Sequence, residues 1–139
     1  MKLHSTLLLI GLLGIAGTTA TVADTSDTGM NESPEITDQV LLQRGLQIAE
    51  GKDVIIDRVE LPPNTMLPRR WHPGEMFVYV MEGTVIVSPE GDSETTATTG
   101  NLLEIPYKQV YSARTADAGA LLLIVRIHDA NQPVRVMVD

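Results

Sequence analysis

The sequence predicts an all-β fold, a sandwich or a closed barrel of jelly-roll type. Three observations carry this. From Val40 onward the chain is a series of short apolar runs cut by turn residues, the pattern of short strands in an all-β domain. No window holds helical spacing for three turns, and residues 39–49, which come nearest, are broken by Gly45. Many short strands rich in Val and Ile leave edges to be hidden, and closure into a barrel hides them.

The runs follow in order. Val40 to Leu42 is the first. Val54 to Leu61 is closed by Pro62-Pro63-Asn64. Met76 to Met81 is closed by Glu82-Gly83, and Thr84 to Val87 by the stretch from Ser88 to Asp92. Thr95 to Thr99 ends at Gly100-Asn101, and Leu102 to Ile105 ends at Pro106. Gln109 to Ala113 precedes the longest run, Leu121 to His128, and Val134 to Val138 forms the tail. No internal repeat interrupts the series.

The N-terminal residues read differently. Lys2, the apolar stretch Leu7 to Ile15 and the small residues Thr21-Val22-Ala23 before Asp24 have the order of a secretory signal peptide over residues 1–23, with Ala20 as a second cleavage point. The apolar stretch is shorter than the roughly 20 residues that span a bilayer; retention as an anchor is the alternative. The expected product is periplasmic or secreted and free of the membrane after cleavage. Residues 24–38 are acidic and polar and read as a flexible leader, followed by one barrel domain over residues 39–139.

Composition narrows the function classes. The chain of 139 residues has 10 basic and 18 acidic side chains, a net charge of -8. Loss of residues 1–23 removes Lys2 and no acid, leaving nine bases against 18 acids. That balance is poor for gripping nucleic acid or an anionic membrane. The absence of cysteine excludes disulfides, thiolate metal sites, a cysteine nucleophile and a lipoprotein anchor.

Two segments are more specific. Residues 64–83 contain His72-Pro73-Gly74-Glu75 leading through Phe77-Val78-Tyr79-Val80 to Glu82-Gly83, and residues 100–115 place Gly100 and Pro106 at a fixed spacing. Together they resemble the two motifs of the small single-domain cupins, which are double-stranded β-helix jelly-roll barrels. Leu61-Pro62-Pro63-Asn64 resembles the turn that precedes the first motif, with Asn for Gly; Asn tolerates positive φ better than most residues. The resemblance covers residues 39–138 and implies fold directly.

For chemistry it implies an altered site. Such cupins hold a divalent metal with three His and one Glu. Carried over by position, those places are Arg70, His72, Met76 and Tyr111, of which only His72 is a standard ligand; Lys108 and Thr115 replace a Gly and an Asn of the second motif. Glu75 neighbours Met76, but adjacent strand residues face opposite ways, so Glu75 is expected in the turn, facing solvent. Glu75 and His128 remain additional candidates for a metal with His72. A guanidinium repels a dication and is costly to bury alone. The expectation is therefore a pocket without the usual metal, in which Arg70, His72, Tyr111 and Met76 hold a small polar or anionic molecule.

The alternatives stand beside it. A metal-dependent enzyme of dioxygenase or isomerase type would be centred on His72, with a divalent ion or, through Met76 and His128, Cu(I). A metal-free enzyme would use His72 as base and Tyr111 as acid. Arg70 also fits a place at the barrel mouth paired with Glu75, Met76 fits plain core, Tyr111 fits a backbone hydrogen bond, and His128 fits an edge or surface. A homodimer is the partner that single-domain cupins commonly have.

Overall fold

The computed structural model describes residues 34–139. The expected signal peptide and most of the expected leader lie outside the described residues. Eight strands, all paired antiparallel, make up the domain: β1 Thr37–Gly45, β2 Lys52–Leu61, β3 Met66–Trp71, β4 Gly74–Pro89, β5 Thr95–Thr98, β6 Leu102–Ile105, β7 Tyr111–Asp129 and β8 Val136–Met137. The first strand begins at Thr37, two residues before the expected domain start, and residues 39–45 are strand rather than helix.

Two expected boundaries vanish. Met76–Met81 and Thr84–Val87 are one strand, β4, and Gln109–Ala113 and Leu121–His128 are largely one strand, β7. The reason is how β4 and β7 pair. They run together along nearly their whole lengths, with register shifts around Gly83. Gly83 and Gly119 have φ of 81° and 70°. A Cβ at either would collide with backbone, Gly83 against Gly119 and Gly119 against Leu61. These glycines therefore bend two long strands past one another rather than ending them.

The bend folds one continuous sheet into two halves. The C-terminal half of β7 and the N-terminal half of β4 pair together and are flanked by β2, β1 and β6. The N-terminal half of β7 and the C-terminal half of β4 are flanked by β3, β8 and β5. Inward residues alternate along each strand, as a pleated strand requires. Val59 and Leu61 of β2, Val78 and Val80 of β4 and Leu122 and Ile124 of β7 belong to the shared core.

The two turns that carry motif residues are held by specific contacts. Asn64 takes φ 54° as its residue type allows. Lys108, at the position where the motif has Gly, also takes positive φ, 58°. Its ammonium lies over the rings of Trp71 and Tyr107, 5.7 and 5.1 Å from their centroids. Thr115 is buried, donates from Oγ1 to the Pro62 carbonyl at 2.6 Å, and accepts from the Thr65 amide at 2.9 Å. It thus ties β7 to the turn between β2 and β3. Thr115→Val keeps the shape and removes both bonds. It is expected to cost about 1–3 kcal/mol, read as a fall in melting temperature of roughly 4 °C or more, whereas Thr115→Ser recovers most of the loss.

Candidate functional site

Four side chains reach one cavity of about 190 Å³ between the halves: Arg70, His72, Met76 and Tyr111. The backbone explains the convergence. Arg70 on β3 pairs in register with Tyr111, the first residue of β7. His72 follows β3 directly, and its carbonyl accepts from the Lys108 amide at 3.2 Å. Met76 points inward from β4, beside Arg126 of β7 in register. The remaining wall is mostly apolar, with Val59, Leu61 and Ile124 among its residues, and Asp38 of β1 and Ile36 just before that strand close it.

His72 is fully engaged. Its Nδ1 lies 2.6 Å from the Val134 carbonyl and its Nε2 2.9 Å from the Tyr111 hydroxyl. A carbonyl can only accept, so Nδ1 carries the proton and Nε2 accepts from Tyr111. The two rings also stack, with centroids 5.9 Å apart. Burial holds the His72 imidazole below its ordinary pKa; the Val134 carbonyl opposes this, and the charge of Arg70 adds to it. Burial pushes the Tyr111 phenol up to about 12, against the pull of Arg70. Near neutrality both are uncharged.

Arg70 is 7% exposed. Its Nε donates to the Pro68 carbonyl at 2.9 Å. Burial draws its pKa below the usual guanidinium value, countered by Tyr111, without making it neutral near pH 7. Among the described residues it has no carboxylate within 4 Å, unlike the other two arginines on the wall. Arg126 is paired with buried Asp57; desolvation takes it down to about 10, so it too stays charged. Arg135 lies 3.8 Å from Asp38. One positive charge is left over, and it belongs to Arg70.

Glu75 and His128 are placed elsewhere. Glu75 is on β4 rather than in a turn; it is exposed and lines a separate hollow with Lys52, Tyr107 and Asp129. Arg70 therefore does not pair with it. His128 is 2% exposed, not the edge or surface residue expected from its place at the end of a run. β7 is flanked on both sides there, by Asp53 of β2 and Gly74 of β4, so its inward alternation continues to His128. Its Nε2 donates to the Gln132 carbonyl at 3.1 Å, and it does not line the Arg70 cavity.

Sequence reasoning missed Asp57 and Arg126 by treating Val54–Leu61 and Leu121–His128 as simply apolar. A period of two was the available signal, since Asp57 falls between inward Ile55 and Val59, and Arg126 between Ile124 and His128. The pair leaves Asp57 Oδ1 and Arg126 Nε buried without a partner among the described residues.

The divalent ion that the sequence resemblance implies does not fit this donor set. His72 is the lone imidazole on the cavity wall, and both of its nitrogens are hydrogen-bonded. Met76 offers a soft thioether, a poor donor to hard divalent ions, and Arg70 brings a repelling charge. Among the described residues no three His, Asp or Glu side chains converge. A larger hollow of about 410 Å³ carries Glu35, Glu60 and Glu82 but no cation and no nitrogen base.

Residues 57–125 match the family model described as Cupin domain (Cupin_2). Among solved structures, DMSP lyase DddQ from Ruegeria pomeroyi DSS-3 superposes with a TM-score of 0.64 at 19% identity, over 81% of this chain and 56% of the lyase. The chain thus spans little more than half of that lyase's length. A cupin-like protein from Thermotoga maritima msb8 gives 0.60 at 16% identity, over 74% and 75% of the two chains. KdgF from Halomonas sp. gives 0.57 at 14%, over 69% and 81%. At these identities the likeness is one of fold. No curated protein matches the sequence. The matched motif segment and the doubly bent barrel lead to one conclusion: the chain carries a small cupin domain.

Proposed function

We propose that this cupin domain binds a small anionic molecule, a carboxylate or a comparable oxyanion, in the Arg70 cavity without the divalent metal typical of such barrels. We also propose that the protein is exported. The observation that carries the binding reading is the buried Arg70 guanidinium with no carboxylate partner among the described residues. Desolvating a cation without a counter-charge is costly, and a bound anion relieves that cost through charge-assisted, bidentate hydrogen bonds. A cavity near 190 Å³ admits only a small molecule. Its apolar wall suits a short carbon skeleton behind the charged group.

Binding is better supported than proton-transfer catalysis. The Nε2 lone pair of His72, which a general base would use, points at Tyr111 rather than at open cavity. A phenol raised to about 12 is a weak acid at neutral pH. The soft pair of His72 and Met76 would need Tyr111 displaced before it could take Cu(I).

Calorimetric titration with small mono- and dicarboxylates is expected to show saturable binding to the wild type and a loss of at least about tenfold in Arg70→Gln, the scale of a hydrogen bond to a charged group. Arg70→Met is expected to melt higher than the wild type without ligand, because the unpaired charge is gone. A melting temperature that falls on that substitution, or tight stoichiometric metal held through His72, would contradict the reading.

The imidazole gives a pH signature. The unfolded chain protonates His72 near 6.5, the folded protein only at lower pH. Its contribution to stability is therefore complete above about 6.5 and is lost as pH falls, by at most roughly 1.4 kcal/mol per pH unit. Glu94, held at about 2 by Arg114 and Ser88, departs from its ordinary behaviour only below 4.5. Melting curves between pH 7 and 5 should fall in the wild type and flatten in His72→Gln.

A further inference from the structure

Arg126 is a second buried guanidinium on the wall of the Arg70 cavity, 6% exposed. Its charge is matched by Asp57, which is 1% exposed and does not line the cavity. Its donors are not all matched. A guanidinium carries five N–H groups, and among the described residues only Nη1 has an acceptor, Asp57 Oδ2. Nε is sealed in protein, whereas Nη2 is neither bonded nor sealed. Arg126 lines the cavity, so Nη2 is open to it.

The two guanidiniums enter from different elements. Arg70 comes from β3, in register with Tyr111 at the start of β7. Arg126 stands near the other end of β7, in register with Ile55 and Met76. Apolar side chains of Val59, Leu61 and Ile124 share the same wall. A molecule that meets both guanidiniums therefore has an oxygen towards each end and carbon between.

Charge distinguishes the two ends. Arg126 is balanced by Asp57, and Arg135 is approached by Asp38, which leaves Arg70 as the single excess charge. One carboxylate neutralises the cavity. A second would leave it negative, and a net charge withdrawn from water is costly in either sign. The group at Arg126 is then a neutral oxygen, a carbonyl or a hydroxyl.

We propose that the cavity takes a short-chain oxo or hydroxy monocarboxylic acid, its carboxylate on Arg70 and its neutral oxygen accepting from Arg126 Nη2. Arg126 thus sets specificity, and Asp38 stays with Arg135. The proposal rests on the anion-binding reading of the same cavity.

Calorimetric titration with matched acids tests it. Levulinate is expected to bind at least about tenfold more tightly than valerate, which lacks the oxo oxygen, the scale of one hydrogen bond to a charged group. 4-Hydroxyvalerate reads a hydroxyl in the same place, and 5-oxohexanoate against hexanoate reads a longer span; a gain in any of these pairs supports the proposal. Pyruvate does not serve, because its adjacent oxygens can share Arg70 alone. Succinate, with a charged oxygen where levulinate has its methyl, is expected to bind through Arg70 but more weakly than levulinate. Arg126→Lys keeps a charge for Asp57 and removes Nη2, and is expected to bring levulinate down to the level of valerate. If circular dichroism shows that this variant disturbs the barrel, the ligand pairs on the wild type still decide. Oxo and hydroxy acids no tighter than the plain acids, succinate the tightest of the set, or an oxo advantage that survives Arg126→Lys would overturn the proposal. Carboxylate binding that is lost in Arg70→Gln would in those cases leave the anion-binding reading standing. Binding of no carboxylate at all would overturn both.

Discussion

A guanidinium largely withdrawn from water favours a negative partner, and Arg70, whose terminal nitrogens open onto the cavity, has no carboxylate within 4 Å among the described residues. The rest of the cavity is arranged around that imbalance. Arg126 is matched by Asp57 and Arg135 is approached by Asp38, so these arginines leave no spare charge. His72 and Tyr111 are kept neutral by burial and bonded to each other, and neither can serve as the missing anion near pH 7. The cost of the unpaired cation thus remains in the free protein, where a ligand can remove it. Strain of this kind is common at sites built for binding rather than for stability.

The fold supplies the position. Bends at Gly83 and Gly119 let β4 and β7 cross from one half of the barrel to the other. As a result, β7 contributes Tyr111 near one end and Arg126 near the other to the same cavity, and β4 contributes Met76. Thr115 and Lys108, both substitutions in the second motif, preserve the turns on which this depends. The motif has therefore changed its chemistry at Arg70, Met76 and Tyr111 while retaining its architecture.

Much of this was legible in the sequence. Turn punctuation located the strands, and the resemblance to the cupin motifs implied that Arg70, His72, Met76 and Tyr111 share one pocket. Alternation correctly turned Glu75 outward. The errors have physical causes. Gly83 looked like a turn because positive φ serves bends and turns equally. His128 looked peripheral because a run's end was taken for a sheet's edge, although β2 and β4 flank β7 there. Asp57 and Arg126 were hidden because each is tolerable inside only in the presence of the other, and that pairing joins residues 69 positions apart. The hydrogen bond from Tyr111 to His72, which decides how His72 is used, depends on side-chain packing that no local pattern carries.

A crystal structure of the protein grown with a small dicarboxylate tests the central claim most directly. The account predicts a carboxylate lying against the two terminal nitrogens of Arg70, with the Tyr111–His72 hydrogen bond still in place beside it. A metal ion on His72 Nε2 with Tyr111 swung away, or Arg70 directed out to bulk water, would contradict it.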